Sequence, residues 1–249
     1  MPHPLADRSV QFIRVLCAET GDSTFPFQRL GTGVVLAFSG EYFLLTARHC
    51  FTNHNADPRR VRIPITLRDR RPWTVIEFTL PVPTPNMAPD EPYSDVALFH
   101  LDRAALQGCE FESHDFVSLI DPGPIEIGYP LFAFGFPDTL PGIDFEAEQI
   151  IADLRMIEGR YSGPSTSLGL HAFESSQLLT LEHSGFSGGA VTALDLSTVG
   201  RHLLVGLILR GGQTSGSFKF LGRDMILTLL QDVLPRLGHT GGPLPPPEE

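Results

Sequence analysis

The sequence predicts an all-β protein, and three observations carry that prediction. Its 24 Gly and 22 Pro punctuate the chain too densely for many long helices. Between those breaks stand apolar runs of four to eight residues rich in Val, Ile, Phe, Leu and Thr, the composition of short strands. Hydrophobic residues make up 42% of the chain and charged ones 19%, enough for a substantial globular core.

Taken in order, the strand candidates begin with "VQFIRVLC" (10–17), "GTGVVLAF" (31–38) and "YFLLTA" (42–47). "WTVIEFTL" (73–80), a Pro-rich surface loop at 80–92 and "DVALFHL" (95–101) complete the first half. A looser connection, 106–116, joins it to a second half of similar size containing "LFAFGFP" (131–137), "QLLTLEH" (177–183), "GAVTAL" (189–194) and "HLLVGLIL" (202–209). One helix is expected over 222–237, with Met225, Ile226, Leu229, Leu230 and Val233 near helical spacing. It would start at Asp224, and Pro235 weakens its last turn. The polar Pro/Gly-rich tail 238–249 is expected to be disordered. No fixed-period repeat is visible.

A net charge of −11 argues against nucleic acid as a partner, since phosphate binding rests on a positive surface. Arg59, Arg60, Arg62, Arg68, Arg70 and Arg71 form a local exception, read as a solvated loop and strand face, with a docking surface for an acidic partner as the alternative. Lys219 is the one lysine. No basic segment followed by an apolar run opens the chain, and no apolar stretch approaches membrane-spanning length, so a soluble, cytoplasmic protein without membrane association is expected. Cys17, Cys50 and Cys109 are too few for a disulfide framework and read as thiols.

"LLTARHC" (44–50) ends on His49, which could be a satisfied core residue, half of a metal site with Cys50 and His54, or a catalytic base. "SGFSGGAV" (184–191) decides among these. Ser187 stands among Gly185, Gly188 and Gly189, the surround a nucleophilic serine needs for a sharp turn. The N–H groups of Gly185 and Ser187 can converge there on a developing oxyanion, and losing one such donor costs about 2.7–4 kcal/mol of transition-state stabilisation. An α/β-hydrolase elbow shares these letters, but it would require an acid and then a histidine after Ser187 in a chain without a βαβ pattern. The order His, Asp, Ser is met by His49, by Asp95 opening the apolar strand of "YSDVALFHL", and by Ser187. The intervals are 95 − 49 = 46 and 187 − 95 = 92 residues; the template triad has roughly 45 and 93.

On "LLTARHC", "SDVALFHL" and "GFSGGAV" the chain resembles the trypsin-like, chymotrypsin-fold serine proteases, closest in flavour to HtrA-like and other stand-alone bacterial peptidases. "GTGVVLAF", "IEIGYPLFAFGFPD" and "GSFKFLGRDMILTLL" extend the likeness over roughly residues 8–237, with 52–92 and 138–176 least matched. The resemblance implies two six-stranded antiparallel β-barrels, at 8–107 and 108–221, followed by the helix 222–237. It also implies a cleft between them, a His49–Asp95–Ser187 triad, an oxyanion hole from Gly185 and Ser187, a protein or peptide substrate, and neither metal nor cofactor. Leu181 would fall at the base of the specificity pocket and "LILRGG" (207–212) on its wall. Leu181 favours a small or apolar P1 residue, Glu182 a basic one, and Arg210 or His183 an acidic one, with Gly211 beside them.

Two departures are informative. Digestive relatives carry an aspartate before the serine that pairs with a new N-terminus, whereas this chain has Phe186. Activation by that salt bridge is therefore not expected. Either the enzyme folds active, or an activating or regulatory partner assembles its oxyanion hole. Cys50 follows the histidine as in disulfide-bonded relatives, but its partner position near Gly31–Gly33 holds no cysteine. It reads as inert packing, or less simply as a redox switch. His171, His183 and His202 read as surface or strand-edge residues, and Ser165 and Ser167 as loop. From another functional class, the rival to a protease is a silent protease-fold module that binds protein in the old cleft.

Overall fold

The computed structural model describes residues 10–65, 74–75, 81–82, 92–101, 117–138, 143–144, 146, 149–150, 152–166, 169–176, 185–195, 197–198, 201–211 and 216–237. Its first strands are β1 (Ile13–Glu19), β2 (Phe27–Phe38), β3 (Glu41–Ala47), β4 (Val61–Arg62), β5 (Pro64–Ile65), β6 (Thr74–Val75), β7 (Pro81–Val82), β8 (Val96–Leu101) and β9 (Val117–Ser118). A four-residue helix α1 (His49–Thr52) interrupts them after β3. The second half contains β10 (Pro130–Gly135), β11 (Ile143–Asp144), β12 (Gln149–Ile150), β13 (Arg155–Pro164), β14 (Leu170–Ser175), β15 (Ala190–Leu194), β16 (His202–Gly211) and β17 (Ser217–Gly222), then helix α2 (Arg223–Leu237).

β4-β1-β2-β3-β8-β7 form one antiparallel path, and β9 joins β2 from beyond the expected boundary at 107/108, in parallel. Among the described residues this sheet does not close. The second half is a closed six-stranded barrel in the order β10-β13-β14-β17-β16-β15. The expected pair of barrels is thus met by one closed barrel and one sheet of the same general plan. The short pairs β5-β6 and β11-β12 stand apart.

The continuous apolar runs have a physical cause: alternate residues of one strand serve different cores. In β3, Leu44 packs in the core of the first sheet with Val35 and Phe99, while Phe43 and Leu45 pack in a cluster shared with the second half. β15 and β16 behave likewise, with Val191, Val205 and Ile208 in the second barrel's own core. Ala190, Leu204 and Leu207 join the shared cluster, which α2 completes with Ile226, Leu229, Leu230 and Val233. Strands buried on both faces read as unbroken apolar runs rather than as alternation.

Several expectations change. Residues 138–176, the poorly matched segment, contain the barrel strands β13, whose exposed polar residues alternate with buried ones, and β14, a short run of mixed character. Ser165 sits in the β13–β14 connection, its N–H bonded to Leu170 O, and Ser167 lies outside the described residues. Arg62 is not on a solvated face: its side chain is buried and donates to Glu19 and to the carbonyls of Arg59 and Val61. Arg68, Arg70, Arg71, Cys109, the connection 106–116 and the tail 238–249 lie outside the described residues. α2 starts one residue before Asp224, and Pro235 lies within it. Among the described residues no helix is long and apolar enough to cross a membrane.

His202 is packed rather than superficial. Its ring meets Phe132 and Phe134 edge-on, and Nδ1 lies 2.8 Å from Thr192 Oγ1. Burial pushes its imidazole down to about 4. A histidine held neutral binds its proton less readily folded than unfolded. Its contribution to stability is therefore complete above about 6.5 and is lost as pH falls from there through 4. His202→Gln is expected to flatten the acid limb of the unfolding midpoint over that window. An unchanged limb would place the acid sensitivity elsewhere.

Candidate active site

β3 and β8 are antiparallel neighbours, with Ala47 opposite Val96. The residue two past the end of β3 and the residue just before β8 must therefore meet, and these are His49 and Asp95. The Arg48 N–H donates to Asp95 O at 2.7 Å and ties the two strand ends together. His49 opens α1, and its backbone N–H donates to Asp95 Oδ1 at 3.1 Å. Its Nδ1 lies 2.8 Å from Asp95 Oδ2 and 3.0 Å from Oδ1. A carboxylate only accepts, so Nδ1 carries a proton, and in the neutral imidazole the lone pair is on Nε2.

The serine comes from the other half. Phe186, immediately before it, is fully buried in the barrel core against Phe218. The Gly188 N–H donates to Ile208 O at 2.7 Å, the Ile208 N–H to Gly189 O at 2.8 Å, and the Gly189 N–H to Phe186 O at 2.8 Å. The turn is thus stapled onto β16. The Gly185 and Ser187 N–H groups donate to no carbonyl among the described residues. His49, Asp95 and Ser187 line one open cleft with Ser94, Leu209, Arg210 and Gly211.

The first sheet grips the serine turn through Thr32. Its N–H donates to Ser187 O at 3.3 Å, and its Oγ1 donates to Gly185 O at 2.6 Å while accepting from the Phe136 N–H at 2.9 Å. Thr46 Oγ1 donates to Thr32 O at 2.7 Å. No motif marked Thr32 as a site residue. The only signal was its place between the glycines of "GTG", where strands approach closely.

Cys50 Sγ donates to Ser187 O at 3.3 Å. A Cβ at Gly31 would lie 3.0 Å from that sulfur, so the absent disulfide partner's position is Gly31. Burial, with a smaller contribution from Asp95, pushes the Cys50 thiol up to about 12, and burial does the same for Cys17. Both are neutral thiols at physiological pH.

The cleft thus brings together His49, Asp95, Ser187, Arg210 and Gly211, with Gly185 two residues from the serine. Leu181, Glu182 and His183 lie outside the described residues. Among the described residues no three His, Cys, Asp or Glu side chains converge as metal ligands. A second cavity, of about 270 Å³, lies between residues 121–125, His171 and the start of α2, and none of the site residues lines it. His171 faces it, half-buried, with Nδ1 2.7 Å from the Tyr161 hydroxyl.

The sequence matches the model of the trypsin-like peptidase domain over residues 31–200. No curated protein matches it significantly. Among solved structures, a scabies mite inactivated protease paralogue, S-I1, superposes with a TM-score of 0.62 at 17% identity, covering 92% of this chain and 96% of that one. The HtrA-type protease AlgW, solved with a decapeptide, superposes with a TM-score of 0.58 at 17% identity, covering 93% of this chain and 66% of AlgW. At such identities the likeness is one of fold.

Two outcomes follow from this packing. A Cβ at Gly188, whose φ is +79°, would lie 2.1 Å from Thr32 O and 2.2 Å from Thr46 Oγ1. Gly188→Ala is therefore expected to lose about 1–3 kcal/mol in denaturant unfolding; an unchanged midpoint would refute the close approach. Iodoacetamide at pH 8 is expected to spare Cys17 and Cys50 in the native protein and modify both after unfolding, read by mass spectrometry.

Proposed function

The chain belongs to the trypsin-like peptidase family, and on that premise we propose that it is an intracellular serine endopeptidase working through His49, Asp95 and Ser187. The observation that carries this reading is the Asp95 carboxylate. It accepts from both Nδ1 and the backbone N–H of His49 in the cleft that Ser187 lines. That arrangement presents Nε2 as a base and holds the tautomer through the reaction.

The steps follow from the groups present. Ser187 Oγ attacks the scissile carbonyl as His49 Nε2 takes its proton, and Asp95 stabilises the imidazolium. The Gly185 and Ser187 N–H groups receive the oxyanion. The tetrahedral intermediate collapses as Nε2 gives the proton to the leaving amine, leaving an ester on Ser187. Water then attacks that ester, with His49 again the base, and releases the acid. Each step needs only side chains and backbone, so no cofactor enters.

Phe186 has no charge to offer a new N-terminus, and its burial anchors the turn by packing instead. This packing supports a turn that does not rely on a salt bridge to a new N-terminus. A protease of this kind inside a cell needs restraint, which suits an effector cleaving one dedicated protein under a regulatory partner. The decisive experiment labels the purified chain with a fluorophosphonate. We expect labelling that disappears in Ser187→Ala and His49→Ala. Well-folded protein that stays unlabelled would overturn the reading of a chain active by itself, in favour of a latent or inactive protease-fold module that acts as a protein-binding partner in a larger complex.

A further inference from the structure

Gly185 is held from two sides. Thr32 takes its carbonyl, and the segment Phe136–Asp138 packs directly against its backbone. A Cβ on Gly185 would lie 2.1 Å from Phe136 O, 2.9 Å from Asp138 N and 2.9 Å from Asp138 Oδ1. Gly185 has φ +92°, so the glycine is required both for that conformation and for that approach. Wherever residues 136–138 lie, Gly185 must follow.

That segment is gripped by a residue of the opposite half. β1 and β2 slip register between Leu16 and Cys17, leaving Leu30 unmatched between the pairs Leu16–Gly31 and Cys17–Arg29. Bulges of this kind re-aim side chains, and Arg29 crosses to the second half. Its Nη2 donates to Phe136 O and, at 2.8 Å, to Pro137 O, and lies 3.8 Å from Asp138 Oδ1. The side chain is only 8% exposed, and among the described residues Nε and Nη1 find no acceptor. Burial pushes the guanidinium down from its usual range, while Asp138 and then Cys17 draw it back. Burying an arginine this incompletely paired is a poor way to gain stability. Among the described residues its side-chain hydrogen bonds and ion pair fall on the three residues that seat Gly185.

We propose that Arg29 is a positioning residue for the oxyanion loop, holding residues 136–138 so that the Gly185 N–H faces the cleft. It would do from inside the folded chain what the new N-terminus does in activated digestive relatives, and this rests on the serine-peptidase reading above. Arg29 touches neither substrate nor reacting atoms; it acts through Gly185. A misplacement of about 1 Å in such a donor is enough for about a 100-fold loss of rate.

The test compares the second-order rate of fluorophosphonate labelling in the full chain and its variants, with folding followed by circular dichroism. Arg29→Met is expected to stay folded and label about 10- to 100-fold more slowly. The loss should fall on the plateau of the pH–rate profile without moving its midpoint, because His49 and Asp95 are untouched. Arg29→Lys, which keeps a donor for one carbonyl, should recover part of the rate. Arg223→Met is the control: that arginine also has a buried, unpaired Nε and holds a backbone carbonyl, but its bonds go to Leu119 O, at 2.9 Å, and Asp224 rather than to residues 136–138. It is expected to lower stability and leave the labelling rate of the folded protein unchanged. If Arg29→Met labels like the wild type, or slows no more than Arg223→Met, the positioning role is overturned while the peptidase reading stands. If Arg29→Met does not fold, Arg29→Lys decides alone, and a wild-type rate there also overturns it. A wild-type chain that does not label at all removes both.

Discussion

The contact between Thr32 and the serine turn is the constraint on which the rest of the molecule depends. Thr32 belongs to the first sheet, yet its amide and hydroxyl hold Ser187 and Gly185 of the second half, and its hydroxyl also receives the Phe136 amide. Each bond alone contributes only about 0.5–1.5 kcal/mol net. Together they set where one barrel's serine sits relative to the other sheet's histidine. Gly188 fits beneath this seam because a side chain there would strike Thr32 and Thr46. The small residues around Ser187 therefore serve packing between halves as much as they serve the turn.

Around that seam, apolar packing and polar pairing divide the work. Phe186 is driven into the barrel core beside Phe218, which fixes the backbone ahead of the serine without any charge. On the first sheet, Asp95 is fixed by polar contacts to His49, and its own carbonyl takes the Arg48 amide. Hydrophobic burial is not directional, whereas proton transfer needs defined hydrogen-bond geometry. It is thus consistent that the nucleophile's neighbour is anchored by packing and the base by a carboxylate.

The two neutral thiols belong to the same logic. Cys50 sits against Gly31 at the edge of the seam and contributes a weak donor to Ser187 O. Gly31 and Cys50 both belong to the first half, so the link between the halves here rests on the Thr32 bonds and on this weak thiol donor.

Much was legible in the residues alone. Short apolar runs between Gly and Pro determined the all-β class, and the spacing of His49, Asp95 and Ser187 singled out the three residues that share the cleft. Such features are local or depend on order along the chain, so a linear reading reaches them. Only the tertiary structure decided the rest. β13 was missed because exposed polar residues alternate along it, and β14 because its short run mixes His171, Glu174 and Ser175 with few apolar residues; pairing with β10 and β17, not composition, makes them strands. Thr32 and Arg29 carried no motif, because a threonine or arginine in a strand is ordinary until the opposite half supplies Gly185 and Phe136 as partners. Chemistry that needs particular residue types is written in the sequence. The scaffolding that aims it consists of backbone carbonyls more than a hundred residues away, which every residue possesses and no letter distinguishes.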